Sequence, residues 1–166
     1  MTQKMGTKTV QQEVDREKLL EKIREVLSAA DSRQSGLREV VRLLHHSFDS
    51  FNWTGIYLLE GDVLVLSEFI GAPTVHTRIP VGEGICGAAV QVKAVLNIPD
   101  VHADPRYLAC SVETQSELVV PIMKGAKIWG EIDIDSHRPA AFDKKDERFL
   151  DAVASELADF LEQHEK

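Results

Sequence analysis

Apolar residues change their spacing twice along this chain, and this change constrains the fold more than any other sequence feature. Residues 13–30 and 37–48 carry apolar side chains every three or four positions, the period of a helix that is buried on one side. From Trp53 the spacing is that of extended strands, and over 149–161 the helical period returns. Helices at both ends and strands with short connections between them predict an α+β fold with antiparallel pairing.

Turn-forming residues divide the chain into elements. A break at Ser35-Gly36 is predicted to precede the second helix. The elements predicted after it are strands 53–59 and 63–70, an extended segment 75–81, a short helix 85–92, a strand 95–98, and strands 117–124 and 127–136. Residues 99–116 lack a sustained period, so we expect a long loop, which in a compact domain is usually functional or disordered.

The 166 residues, 43% hydrophobic and 28% charged, suit one globular domain, which we expect at 13–166 after a flexible tail at 1–12. The chain lacks an apolar run long enough for a membrane span, and its start lacks a secretory signal. We therefore expect a cytoplasmic protein without a membrane partner. The net charge of -8, with basic residues scattered, also argues against a nucleic-acid partner.

Acidic and apolar residues alternate in the last predicted strand. Side chains two positions apart share a face, so Glu131, Asp133 and Asp135 point away from the intervening isoleucines. Such a face is ordinarily solvated in an antiparallel sheet. If it is buried and joined by Glu117 from the neighbouring strand, the cluster would bind an amino group or, when protonated, donate to a polar oxygen.

Aromatic side chains share a face of the first strand, because Trp53 and Tyr57 are four residues apart with Gly55 between them. They could form the wall of a binding site. Ordinary core packing explains the same pattern equally well.

The chain has two cysteines, too few for a disulfide scaffold. Cys86 lies at the start of a predicted helix, where the helix dipole favours a thiolate, whereas Cys110 lies in the long loop, where a substrate has access. The residues themselves leave open which thiol is the nucleophile. Both cysteines could also be buried without any chemistry.

Metal and dinucleotide sites are not expected. His76 and His102, taken with the two cysteines, match no compact zinc spacing. The glycines at 82 and 84 lack the order of a dinucleotide-binding loop.

Several segments between Phe51 and Asp143 resemble the GAF domain and, within that family, the free methionine-(R)-sulfoxide reductases. The segments are F-N-W-T-G-I-Y at 51–57, R-I-P-V-G-E-G-I-C-G-A-A at 78–89, D-V-H at 100–102, L-A-C at 108–110, S-E-L-V-V-P at 116–121 and D-I-D-S at 133–136. The resemblance implies a six-stranded antiparallel sheet flanked by N- and C-terminal helices, in a homodimer.

The resemblance also assigns roles to the cysteines. The A-C followed by S-E pattern makes Cys110 the catalytic thiol, and Cys86 matches a second family cysteine. Members with three cysteines carry the third where this chain has His76, so the chain resembles a two-cysteine branch. In that branch Cys110 would become a sulfenic acid and Cys86 would resolve it as a disulfide.

The substrate site follows from the same resemblance. Trp53 and Tyr57 would surround the sulfoxide methyl group, while Glu117, Asp133 and Asp135 would hold the amino group and polarise the sulfoxide oxygen. The implied reductant is an external thiol, either thioredoxin or a glutathione-linked system, and no bound cofactor is expected. The alternatives are a small-molecule or redox-sensing GAF domain without catalysis, or an interaction module.

Overall fold

The computed structural model describes residues 12–109 and 111–165. The predicted tail therefore lies outside the described residues except for Gln12. Within the described ranges the elements run in the order α1 (Arg16–Ala29), α2 (Arg33–Ser47), β1 (Trp53–Glu60), β2 (Val63–Ile70), β3 (Arg78–Pro80), α3 (Gly84–Val92), β4 (Leu96–Ile98), a 3-10 turn (Val101–Ala103), β5 (Ser116–Lys124), β6 (Lys127–Ser136) and α4 (Lys144–Gln163).

The strands form one six-stranded sheet in the order β3-β2-β1-β6-β5-β4, with antiparallel pairing between neighbours. The predicted fold class is therefore confirmed. Among the described helices, none combines the length and the apolarity that crossing a bilayer would require.

The two faces of the sheet are covered differently. Ile132 and Ile134 of β6 point to the face on which α1, α2 and α4 pack, and this face holds the larger apolar core. The opposite face is covered by α3, whose Ile85 and Ala89 are buried against Tyr57 and Val119. This smaller side of the sheet contains the candidate site.

The second helix begins earlier than the sequence pattern predicts. Ser32 caps α2 and forms a reciprocal capping box with Ser35, so both residues start the helix and the predicted break is wrong. Gly36 lies inside the first turn because the ring of Phe160, from the far end of the chain, packs against it. A Cβ at this position would lie 2.4 Å from Phe160 Cζ.

This contact reverses the usual effect of replacing a helical glycine. In an open helix Gly→Ala stabilises by about 1 kcal/mol. We expect Gly36→Ala instead to lower the free energy of unfolding by roughly 1–3 kcal/mol, since Phe160 is buried and must move. Urea unfolding measures the change, with Ser28→Ala on the exposed side of α1 as control. A stabilised Gly36→Ala variant would contradict this packing.

Two other boundaries differ from the pattern. The predicted extended segment at 75–81 pairs with β2 only over Arg78–Pro80, opposite Val63–Val65. The predicted loop at 99–116 contains the 3-10 turn Val101–Ala103, which Asp100 caps. It ends at Ser116, where β5 begins.

Candidate active site

Four carboxyl groups are buried on the α3 side of the sheet. Glu131, Asp133 and Asp135 alternate along β6, and Glu117 lies opposite Asp135 on β5. None of the four is more than 5% exposed. The ordinary expectation of a solvated face is therefore wrong here, because α3 and the segment that follows β4 cover the acids.

No ion pair neutralises these carboxyl groups within the part of the chain that the structure describes. Both oxygens of Glu131 and one oxygen each of Asp133 and Asp135 are buried without a hydrogen-bond partner among those residues. Buried polar atoms in a folded protein normally have partners. The cluster is thus built to receive something that donates hydrogen bonds or carries positive charge.

Burial and mutual repulsion favour the protonated carboxyl groups. Burial first, then the charge of Asp133, raises the pKa of Glu117, Glu131 and Asp135 well above the ordinary range. Burial raises the pKa of Asp133 to about 6, although hydrogen bonds from its neighbours oppose the shift. At neutral pH the cluster therefore retains protons that exposed carboxyl groups would lose.

Strand β1 supplies the aromatic wall. Trp53 lies opposite Asp135 and Tyr57 lies opposite Glu131, and their ring centroids are 6.4 Å apart. Trp53 Nε1 donates to the carbonyl of Ala72 at 3.0 Å, and Tyr57 Oη donates to the carbonyl of His76 at 2.7 Å. Both rings are buried in the smaller core and border the carboxyl cluster. Their core packing is therefore confirmed, and their role as the wall of a binding site stays a prediction.

Cys86 lies in the first turn of α3 and faces the cluster, with Sγ 3.7 Å from Glu117 Oε1. Burial first, then the charges of Asp133, Glu131 and Glu117, raises the pKa of the thiol well above its usual value. The expectation that the helix start favours a thiolate is therefore wrong. Burial, together with the facing carboxyl groups, outweighs the partial charge of the helix end, and the thiol stays protonated at rest.

A cavity of about 10 Å³ lies between Cys86, Glu117, Asp133 and Tyr57, which is barely room for one water. Leu108 closes it and packs against Gly84, whose φ of +63° and missing side chain permit the contact. A neighbouring cavity of about 70 Å³ is lined by residues that include Trp53, Asp135 and Ser111. An organic ligand would therefore have to displace Leu108 from this position.

Cys110 lies outside the described residues, and its role as the catalytic thiol stays a prediction. Its neighbours on both sides border the site, Leu108 at the smaller cavity and Ser111 at the larger one. The ring Nε2 of His76 lies 3.3 Å from the carbonyl oxygen of Ala109.

The structure brings together Trp53, Tyr57, Cys86, Glu117, Asp133 and Asp135 of the predicted site residues. The two-residue alternation also puts Glu131 on their face, although the predicted site does not include it. Its full burial makes it the fourth member. The signal in the sequence was the same period that selected Asp133 and Asp135.

Comparison with known proteins gives a consistent result. A family model described as the GAF domain matches residues 32–160. The chain is 40% identical to the free methionine-R-sulfoxide reductase of Escherichia coli over 72% of each chain, and 38% identical to GAF domain-containing protein A of Dictyostelium discoideum over 82% of this chain and 86% of that protein.

Comparison with solved structures supports the same family assignment. The free methionine-R-sulfoxide reductase of Neisseria meningitidis, determined in complex with its substrate, superposes with a TM-score of 0.83 at 34% identity over 89% of this chain and 88% of that one. The chain thus belongs to the GAF domain family and, within it, to the group of the free methionine-R-sulfoxide reductases.

Proposed function

We propose that this protein reduces free methionine-R-sulfoxide to methionine, using Cys110 as nucleophile and Cys86 as resolving thiol. The observation that carries the proposal is a set of four buried carboxyl groups that face two aromatic rings and a thiol. Among the described residues no cation pairs with them. The names of the relatives support the same reaction.

The carboxyl cluster suits the ammonium group of a free amino acid. Buried charges are tolerated when they are paired and hydrogen-bonded, and an ammonium group supplies one positive charge and three donors. Asp133 and Glu117 line the cavity, and Asp135 lies opposite Glu117 on the neighbouring strand. A residue within a peptide has no ammonium group, and its flanking chain would need an exit from a cavity of only about 10 Å³, so peptide-bound substrate should be poor.

The aromatic wall suits the thioether end of the substrate. Trp53 and Tyr57 are held by hydrogen bonds to backbone carbonyls, which fixes their ring planes before a ligand arrives. Methyl groups and sulfur atoms make favourable contacts with aromatic rings. The substrate methyl group would lie against this wall with its sulfur turned towards the thiols.

The chemistry transfers one oxygen atom. The Cys110 thiolate attacks the sulfoxide sulfur, and Glu117 or Asp135, which burial keeps protonated, donates a proton to the sulfoxide oxygen. Methionine leaves, and Cys110 keeps the oxygen as a sulfenic acid. The Cys86 thiol then condenses with it, which forms the disulfide and releases water.

The disulfide is reduced by an external thiol, thioredoxin or a glutathione-linked system, which restores both cysteines. We further propose that no cofactor is bound and that residues 13–166 act as one domain in a cytoplasmic homodimer.

The proposal is tested by replacing only the amino group of the substrate. The enzyme, with dithiothreitol as reductant, receives free methionine-R-sulfoxide, its S epimer, or 4-(methylsulfinyl)butanoic acid, which has hydrogen in place of the amino group. We expect turnover of the R epimer alone, and a kcat/KM at least about 100-fold lower for the amino-free analogue, because a buried charge pair is lost. Chromatography of the thioether products measures the rates.

Two results would contradict the proposal. Equal turnover of the substrates with and without the amino group would show that the carboxyl cluster does not bind the substrate ammonium group. Binding of methionine-R-sulfoxide in calorimetry without any turnover by fully reduced protein would favour the sensing GAF domain instead.

A further inference from the structure

The carboxyl cluster and Cys86 also have the donor geometry of a metal site. Cys86 Sγ and carboxylate oxygens of Glu117 and Asp133 all lie within 4.8 Å of one another, and all three residues are buried. They come from three different elements, α3, β5 and β6, so the fold itself holds them together.

The distances suit a small tetrahedral cation. Zinc bonds of about 2.3 Å to sulfur and about 2.0 Å to oxygen place a thiolate and a carboxylate oxygen about 3.5 Å apart. The separation of Cys86 Sγ from Glu117 Oε1 is 3.7 Å. Small side-chain rotations would bring all three donors to bonding distance.

Unpartnered atoms point to a ligand independently of this geometry. Asp133 is 3% exposed, lines the cavity, and its Oδ1 has no hydrogen-bond partner in the described part of the chain. Both side-chain oxygens of fully buried Glu131 also lack a hydrogen-bond partner among the described residues. A divalent cation would supply the positive charge that the described side chains around the cluster do not. The cavity of about 10 Å³ admits an ion without the displacement of Leu108 that an organic ligand requires.

We propose that Cys86, Glu117 and Asp133 bind one thiophilic divalent cation, such as Zn²⁺. The ion replaces the Cys86 thiol proton and any proton held by Glu117 and Asp133. Binding therefore forms one metal–thiolate bond and releases these protons as H⁺. A bound ion occupies the cluster and blocks the resolving thiol. Under the proposed function, on which this consequence rests, the ion therefore inhibits in competition with the substrate.

The binding itself is tested with Co²⁺, whose thiolate complexes absorb in the near-ultraviolet. Fully reduced protein in a phosphine reductant is titrated with Co²⁺, and Zn²⁺ is then added to displace it. We expect one equivalent of Co²⁺ with a sulfur charge-transfer band, displacement by Zn²⁺ but not by Mg²⁺, and tighter binding as the pH rises.

Four variants locate the site. Cys86→Ser should abolish the band. Glu117→Gln should weaken binding by at least about 100-fold, because loss of a mere hydrogen-bond partner of a metal ligand already costs about 10–100-fold. Cys110→Ser should keep the band, and Glu113→Gln, at an exposed acid outside the donor set, should bind as wild type does. Circular dichroism of each variant verifies folding.

The proposal is overturned if wild type shows no band, if Cys110→Ser loses it while Cys86→Ser keeps it, or if folded Glu117→Gln binds unchanged. Reductase turnover is measured separately. A protein that binds cobalt but does not reduce methionine-R-sulfoxide refutes only the proposed function, whereas turnover without a cobalt band refutes only the metal site.

Discussion

Cys110→Ser should lower turnover of free methionine-R-sulfoxide by at least about 10³-fold with either dithiothreitol or a thioredoxin system. A serine hydroxyl is not ionised near neutral pH and is a far weaker nucleophile towards sulfur than a thiolate. The effect should lie in kcat, since the carboxyl cluster and the aromatic wall, to which the proposal assigns substrate binding, remain. Product chromatography under both reductants measures it.

Cys86→Ser is the matched control, because it makes the same replacement of sulfur by oxygen at the other cysteine, which is buried. We expect it to lose turnover with thioredoxin, which needs the disulfide, and to keep turnover with dithiothreitol, which reduces a sulfenic acid directly. One equivalent of substrate should leave this variant with a trappable sulfenic acid on Cys110. Full activity of Cys110→Ser, or a sulfenic acid on Cys86 in the wild type, would reverse the assigned roles.

The protonated state of Cys86 explains why the two thiols would not compete. Buried and faced by carboxyl groups, it is a poor nucleophile at rest. It is also shielded from oxidants in solution. Its attack on a sulfenic acid requires deprotonation. Glu117, 3.7 Å away, is a suitable acceptor once it has given its own proton to the sulfoxide oxygen and is left as a carboxylate.

Local patterns predicted much of this fold because helical and strand periods and turn residues are short-range properties. The alternation in β6 and the short connection to β5 indicate that Glu117 can join Asp133 and Asp135 if the strand register allows it, and the register places Glu117 opposite Asp135. The predictions that were wrong concern features that depend on contacts between residues far apart in the sequence. Phe160 keeps Gly36 inside a helix, and α3 with Leu108 covers an acidic face that would otherwise be solvated. The raised pKa of Cys86 results from its burial beside the carboxyl groups rather than from its position in a helix.

The burial of the carboxyl cluster predicts an unusual dependence of the free energy of unfolding on pH. A carboxyl group whose pKa is higher in the folded state binds more protons there, so its contribution to stability is complete below the unfolded pKa and is lost as pH rises through the folded one. For Asp133 the window runs from the ordinary value of 3.8 to about 6. The loss is about 3 kcal/mol. Glu117, Glu131 and Asp135 extend the loss to higher pH.

Asp133→Asn removes one of these charges without changing the size of the side chain. We expect its free energy of unfolding at pH 8 to exceed that of the wild type by up to about 3 kcal/mol, with little difference near pH 4. Its kcat/KM for free methionine-R-sulfoxide should fall by about 100-fold, because the ammonium group loses a buried partner. Urea unfolding at both pH values and the turnover assay measure the two effects.

Asp104→Asn provides a control of opposite sign. A side-chain hydrogen bond from Arg106 lowers the pKa of Asp104, so this carboxylate contributes stability above its unfolded pKa. Its loss should slightly destabilise the protein at pH 8 without affecting turnover. If Asp133→Asn were destabilised at pH 8, the cluster would be internally satisfied and would need no cation. If it were stabilised but fully active, the ammonium group would bind elsewhere. Stabilisation together with lost activity is the result expected of charges retained for the substrate at the expense of the fold.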